Sequence, residues 1–166
     1  MHPATLTAEQ LLSECEIART RGSGPGGQHR NKVETAIVLR HRPSGVRAEA
    51  SERRSQAENQ RRALFRLRVN LALEVREAKT TDDLPHDLWQ TRVRGGRIVV
   101  SAAHDDFPAL LADVLDWLVF FNWDAAAVAG RLGCSTSQLA KFLKLEPRAW
   151  AALNNARRQA GLRLLK

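Results

Sequence analysis

Apolar residues along the chain fall into blocks of distinct period, and each block predicts an element. Ala36-Ile-Val-Leu39 and Val46 to Ala50 are short runs of β-branched or aliphatic residues on either side of Pro43-Ser44-Gly45, a favourable turn, and they predict an antiparallel hairpin. Next, Ser55-Gln-Ala-Glu58 matches a capping box. Ala63, Leu64, Leu67, Leu71 and Val75 then recur at helical spacing with Arg and Asn on the other faces, predicting a long amphipathic helix that ends near Lys79. Before the hairpin, Leu11 to Thr20 mixes the two patterns and reads as a short helix ending ahead of a strand at Glu16 to Thr20.

Thr80 to Asp87, with two Asp and a Pro, is the best candidate for a boundary. Leu88 to Val100 predicts a hairpin turning at Gly95-Gly96, and Pro108 to Phe121 an apolar helix. Asp124 to Leu132, Gly133-Cys134 and Ser135 to Lys144 spell helix, tight turn, helix, with Ser135 and Gln138 placed as a second capping box, and a last helix runs from Pro147 to Leu165. Trp117, Phe120, Phe121, Trp123, Phe142 and Trp150 are most economically core residues of this helical part rather than a base-stacking platform. The expected class is α+β: a small antiparallel or mixed sheet with a long packing helix over 1–79, a linker at 80–87, and a mainly helical basic module over 88–166 containing a helix-turn-helix-like segment.

Charge adds a partner to this picture. The 166 residues carry a net charge of +8 with a pI near 10.7, which argues for a polyanion, because Lys and Arg release condensed counterions when they neutralise phosphates. Arg19 to Arg68 holds thirteen basic and four acidic residues, a net of +9, so the rest of the chain sums to −1. A second basic zone, Arg131 to Lys166, has eight Lys or Arg against Glu146 alone, and Asp105 to Asp124 between the zones carries five Asp. Two separate phosphate-facing surfaces are the natural reading. Cys15 and Cys134 lie far apart with no ligand cluster nearby, so neither a zinc site nor a disulfide is expected, and a reducing cytosol fits best. His2, His41, His86 and His104 show no triad or metal spacing. With no signal-peptide pattern and no apolar stretch of spanning length, a cytoplasmic protein without membrane contact is expected.

The candidate chemistry sits in Arg21-Gly-Ser-Gly-Pro-Gly-Gly-Gln28, where four glycines and a proline rule out a helix interior or a central strand. Gly22, Gly24 and Gly27 formally satisfy G-x-G-x-x-G, but the following segment is short and polar, and the position of the expected acid falls among Arg40, His41 and Arg42, so a dinucleotide fold is excluded. A phosphate-binding Walker loop fails as well, since Gln28 stands where a Lys is required. What remains is a glycine loop with one functional side chain, Gln28. Gly26 and Gly27 permit a close approach of backbone to ligand, so the Gln28 N–H is free to face a substrate oxygen, and Arg30 and Lys32 beyond it suit an RNA backbone.

The wider string, Cys15-Glu-Ile-Ala-Arg-Thr-Arg-Gly-Ser-Gly-Pro-Gly-Gly-Gln-His-Arg-Asn-Lys-Val-Glu-Thr35, then Pro43-Ser-Gly45, then Arg54-Ser-Gln-Ala-Glu-Asn59, closely resembles the catalytic domain of bacterial class I peptide-chain release factors, which also occurs in codon-independent ribosome-rescue hydrolases. The resemblance covers about Leu11 to Lys79. It implies a compact α+β domain whose Gly26-Gly27-Gln28 loop enters the peptidyl-transferase centre and promotes attack of water on the ester joining peptide to tRNA. Negative charge develops on the carbonyl oxygen and then on the departing ribose oxygen, and a fixed backbone donor at Gln28 is suited to stabilise it, its loss costing ~3 to 4 kcal/mol. The Gln28 side chain, in the family picture, shapes the pocket to admit water. The resemblance further implies loop-supporting and RNA-facing roles for Arg21, Ser23, Gly24, Pro25, Arg30, Asn31, Lys32, Thr35, Arg54, Ser55, Gln56 and Asn59, although for Ser55 an N-cap role suffices. His29 adjoins the loop as the one plausible titrating group, and an RNA-contacting or incidental role is expected for it. No general base, metal or cofactor is expected. The implied partners are the ribosome and peptidyl-tRNA, with a methyltransferase acting on Gln28 as a further possibility and a monomer as the expected state.

The second half of the chain departs from these relatives. Only about ten residues precede the implied catalytic domain, so decoding of stop codons by this chain alone is not expected, which favours a rescue-type activity. The short rescue hydrolases, however, end in a flexible Lys/Arg tail, whereas this C-terminal part is apolar enough to fold. Arg131, Lys141, Lys144, Arg148, Arg157, Arg158 and Arg163 are the candidates there for a ribosomal-RNA or tRNA surface. An alternative from another class is a helix-turn-helix module reading duplex DNA through Ser135 to Lys144, with Ser137, Gln138, Lys141 and Lys144 as its few base-reading side chains and a glycine loop that is not catalytic.

Overall fold

The computed structural model describes residues 1–21 and 35–166, which divide into two compact units, Met1–Val75 and Arg76–Lys166. It is a mixed α+β structure with small antiparallel sheets and several helices.

In the first unit, a 3₁₀ turn at Pro3–Thr5 and helix α1, Ala8–Ser13, lead into three antiparallel strands, β1 Cys15–Thr20, β2 Ala36–His41 and β3 Arg47–Ala50, ordered β1-β2-β3. The alternation in β2 is that of a sheet with one covered face: Ile37, Leu39 and His41 are buried while Arg40 is exposed. Gly45 closes the β2–β3 turn at φ +74, a left-handed conformation that glycine adopts without strain, and donates its N–H to His41 O at 2.7 Å. Helix α2, Gln56–Glu74, packs on β2 and β3 and buries Ala63, Leu67, Val69, Leu71 and Ala72. It stops at Glu74 rather than near Lys79. Val75 is already extended, and its carbonyl receives the Nε2–H of buried His2 at 3.1 Å; the Ala4 N–H donates to His2 Nδ1, which assigns that tautomer. The helix thus ends where the N-terminus of the chain takes up one of its last carbonyls.

The second unit is built around α4, Phe107–Phe120, which is buried from Phe107 through Leu118. Before it come α3, Leu88–Arg92, and a two-stranded hairpin, β4 Val93–Arg94 and β5 Arg97–Ile98; after it come α5 Ala125–Leu132, α6 Thr136–Leu143 and α7 Pro147–Gln159. The hairpin turns at Gly95-Gly96, at φ +55 and +74, as the sequence leads one to expect, but Leu88 to Arg92 is helical rather than extended. Its Trp89 indole N–H reaches the buried Asp113 carboxylate at 2.9 Å, a local pull that hydrophobic periodicity does not carry. Gly133 at φ +70 caps α5, and Ser135 caps α6 by accepting the Gln138 N–H at 3.2 Å. The Gln138 side chain accepts the Ile98 N–H at 3.3 Å. Helix α7 ends at Gln159, short of Leu165, because Gly161 at φ +70 turns the chain back: Leu162 N–H bonds Arg157 O, and Asn154 and Leu165 exchange two hydrogen bonds. Trp117 and Phe142 are fully buried, whereas Phe120, Phe121, Trp123 and Trp150 are half-buried.

Two carboxylates inside this unit fasten the segment before α3 to α4. Asp113 accepts from Lys79 Nζ at 2.8 Å, from the His86 N–H at 3.1 Å and from Trp89; Asp116 accepts from the Glu77 N–H at 3.1 Å and from Arg76 at 3.4 Å. Burial pushes the Asp116 carboxyl up to about 6, despite the hydrogen bond from Glu77 and the nearby Arg76 and Lys79 charges, and its Oδ2 is buried with no hydrogen-bond partner among the described residues. Burial alone would lower Lys79, but the Asp113 hydrogen bond and charge outweigh it and hold the ammonium above its ordinary value.

Candidate functional site

The glycine loop leaves the first unit between two paired residues. Thr20 at the end of β1 faces Ala36 at the start of β2, so the segment 21–35 departs from and returns to one end of the sheet. Gly26, Gly27 and Gln28, with Ser23, Gly24, Pro25, His29, Arg30, Asn31 and Lys32, lie outside the described residues. What the structure describes is the end of the sheet on either side of them.

That end, the base of the loop, is organised by Asn59, in the first turn of α2 and fully buried. Its amide donates to Thr35 O at 2.7 Å and to Arg53 O at 2.8 Å, while its Oδ1 accepts the Arg53 N–H at 2.9 Å. One side chain therefore ties together the returning end of the loop, the turn before α2 and the helix itself, and both amide donors are used. A hydrophobic residue of similar size would leave three backbone groups without partners. The fold brings Ser55 to the same place as the N-cap of α2, where it accepts the Glu58 N–H at 3.4 Å, so its local role is the capping one. Arg21, Arg53, Arg54 and Gln56 are exposed around this base, as is Arg19 on β1, and together they give the loop end of the sheet a positive surface. Arg66, by contrast, is spent internally, on Glu49 O at 2.7 Å and on the Glu52 carboxylate.

At the opposite end of the sheet the fold assembles a group that sequence spacing does not reveal. His41 is buried between Glu14, whose carboxylate lies 2.9 Å from Nε2, and Ser44, whose hydroxyl lies 2.6 Å from Nδ1. The order serine, histidine, carboxylate is that of a hydrolytic triad. Yet Ser44 Oγ also accepts the Val46 N–H within the tight turn, and His41 pairs with Cys15, five strand positions and about 17 Å from the Thr20–Ala36 end. It reads as a lock that fixes the turn and the start of β1. Burial raises the thiols of Cys15 and Cys134, so neither has the thiolate character of a nucleophile. Among the described residues no group of three or more His, Cys, Asp or Glu is placed to hold a metal ion, and no helix is long and apolar enough to cross a membrane.

The basic residues of the second unit divide into two sets. Arg131 donates to the Thr81 and Asp83 carbonyls with its guanidinium stacked 4.8 Å from the Trp117 ring, and Arg157 donates to Trp123 O at 2.6 Å and Arg163 O at 2.8 Å. The Arg157 contact with Trp123 O holds the α4–α5 turn, where Asn122 and Trp123 adopt positive φ. Lys141, Lys144, Arg148, Arg158 and Arg163 are exposed; of these Arg148 is bound to Glu146 at 2.8 Å, and Lys144 covers the Trp150 ring at 4.8 Å.

A family model described as the RF-1 domain matches residues 8–96, more than half of the chain. The chain belongs to the RF-1 domain family. Among its curated relatives, the chloroplastic peptide chain release factor PrfB1 of Arabidopsis thaliana is 44% identical over 69 residues, 42% of this chain and 15% of that protein. Peptide chain release factor 2 of Paramagnetospirillum magneticum is 39% identical over 88 residues, 49% of this chain and 24% of the relative, and peptide chain release factor 1 of Leptothrix cholodnii is 41% identical over 71 residues, 43% and 20%. The RF-1 domain chain thus corresponds to a quarter or less of these release factors. The match to the family includes the loop, the Asn59 clamp and all of α2, and it runs on through the Gly95-Gly96 hairpin turn into the second unit.

Proposed function

We propose that this RF-1 domain chain hydrolyses the ester bond of peptidyl-tRNA on the ribosome, with Gly26, Gly27 and Gln28 at the reacting centre. The observation that carries the reading is the base of the loop: Asn59 fixes Thr35 through a buried, fully used amide, with exposed Arg19, Arg21, Arg53 and Arg54 around it. A glycine loop anchored on a rigid sheet and helix, with cations at its root, suits insertion between RNA backbones with its own backbone donor aimed at an ester. The Gln28 N–H then stabilises the oxyanion of the attacked carbonyl, and the ribosome and the tRNA supply orientation of water and ester. In this scheme Asn31, Lys32 and Thr35 support the loop, and Arg54 and Gln56 face RNA. His29 has no required part in the chemistry.

We further propose a codon-independent, rescue-type activity, carried out by a monomer in the cytoplasm, with the first unit as the catalytic part and the second as a C-terminal module that supplies the second contact with RNA. Its test is peptide release from purified ribosomes carrying peptidyl-tRNA with an empty A site, a sense codon or a stop codon. Release that does not depend on the codon is expected; release confined to stop codons contradicts the rescue reading.

A further inference from the structure

The exposed side of α6 and the tip of the β4–β5 hairpin beside it both carry basic residues in the second unit. Ser137, Lys141 and Lys144 are exposed at i, i+4 and i+7, a single helix face. Gln138, one turn before Lys141 on the flank of that face, accepts the Ile98 N–H and so seats β5 beside α6. The residue before Ile98 is Arg97, which pairs directly across the hairpin with Arg94 on either side of Gly95-Gly96. Directly opposed residues of an antiparallel pair project to the same side, and two like charges there oppose folding. Lys141 and Arg97 have no ion-pair partner among the described residues, and Arg94 makes only a 3.4 Å contact with Thr91 O. Several acids of the second unit are engaged elsewhere: Asp113 and Asp116 are buried, Asp106 pairs with Arg92, Asp124 caps α5 and Glu146 holds Arg148.

We propose that this helix-and-hairpin surface binds the phosphate backbone of double-helical RNA. It offers no free amide to read a base edge: the exposed α6 side chains are a serine and two lysines, and the one amide in reach, Gln138, is committed to Ile98. Lys and Arg on phosphates position a protein without reading sequence. The hairpin tip, with open space around both glycines, brings two guanidinium groups and a bare backbone close to a groove edge. An eight-residue helix with two exposed lysines and no free amide suits the broad, shallow groove of A-form RNA and its flanking phosphates rather than a major groove of DNA. The choice of RNA rests on the proposed action at the ribosome.

The test is fluorescence anisotropy of the full chain with a short labelled RNA duplex, and with a DNA duplex of the same sequence, across a salt series. The variants are Arg94→Ala/Arg97→Ala, Lys141→Ala/Lys144→Ala, the two pairs combined, and Asn155→Ala/Gln159→Ala on α7 as an exposed control. The combined variant is expected to bind RNA at least roughly tenfold more weakly at low salt, with a salt slope shallower by about 3, while the control behaves as wild type. Its thermal melting should stay close to that of wild type, since only the 3.4 Å contact of Arg94 with Thr91 O and the contact of Lys144 with the Trp150 ring are lost; if it melts early, the two pairs tested separately carry the same expectation. RNA binding untouched by either pair, or tighter binding to the DNA duplex, overturns the proposal. Peptide release measured on the same preparations separates the two readings. A chain that releases peptide but ignores duplex RNA sinks only this surface, and one that binds duplex RNA through these residues but releases nothing sinks only the hydrolase.

Discussion

The two units use charge in opposite ways. At the loop end of the first, the buried polar group is a neutral amide, Asn59, and the arginines around it stay exposed. In the second, buried carboxylates take up cations: Asp113 and Asp116 hold Lys79 and Arg76, while Arg131 and Arg157 are consumed by backbone carbonyls. A run of basic residues in a sequence is therefore two different things, a surface left open to a polyanion or a set of internal braces. Only the packing around each side chain says which.

The sharpest break in this contrast is at Asn59. Replacing it with Leu strands Thr35 O and both Arg53 backbone groups, and should cost about 3 kcal/mol of stability together with most of the peptide-release activity. Thermal melting and a release assay on the same sample check it; a variant with wild-type melting would show that the amide is not the clamp. Asp116→Asn tests the second unit with the opposite sign. The folded protein holds a proton on Asp116 up to about pH 6, whereas an ordinary aspartate in the unfolded chain loses it near 3.8. Across that window stability falls as pH rises, and the penalty is fully present above about pH 6. Asn keeps an oxygen for the Glu77 N–H without the charge, so the variant should be more stable than wild type by about 3 kcal/mol at pH 8, and no different below pH 4. Chemical denaturation at the two pH values reads this, and a destabilised variant at pH 8 would mean that the Arg76 ion pair outweighs burial. The smallest effects separate the two kinds of cation: Arg157→Ala should cost about 1 to 2 kcal/mol, through the lost support of Trp123 O, and Lys141→Ala no more than about 0.5. Equal costs would erase the distinction.

Much of the first unit was legible in the sequence because its patterns are local. The β2–β3 hairpin follows from strand runs around Pro43-Ser44-Gly45, and the start of α2 from Ser55. The helix-turn-helix of α5 and α6 was equally plain in Gly133 and Ser135. What escaped depends on contacts distant in sequence. The end of α2 is set by His2, the helicity of Leu88–Arg92 follows Asp113 twenty-four residues beyond Trp89, and Gln138 leaves its expected box for Ile98. Within the candidate site, Asn59 was identified by resemblance, but its function as a three-way tie is visible only in the fold. The basic pair Arg94 and Arg97 was missed altogether, although a glycine turn flanked by two arginines was the signal for it.

The central claim meets its most direct test in the release of labelled peptide from ribosomes bearing peptidyl-tRNA, comparing the wild-type chain with Gly27→Ala. A Cβ at that position restricts the backbone that is to present the Gln28 donor, so release should fall by about two to three orders of magnitude while folding and ribosome co-sedimentation persist. Release at the wild-type rate by Gly27→Ala would contradict the account.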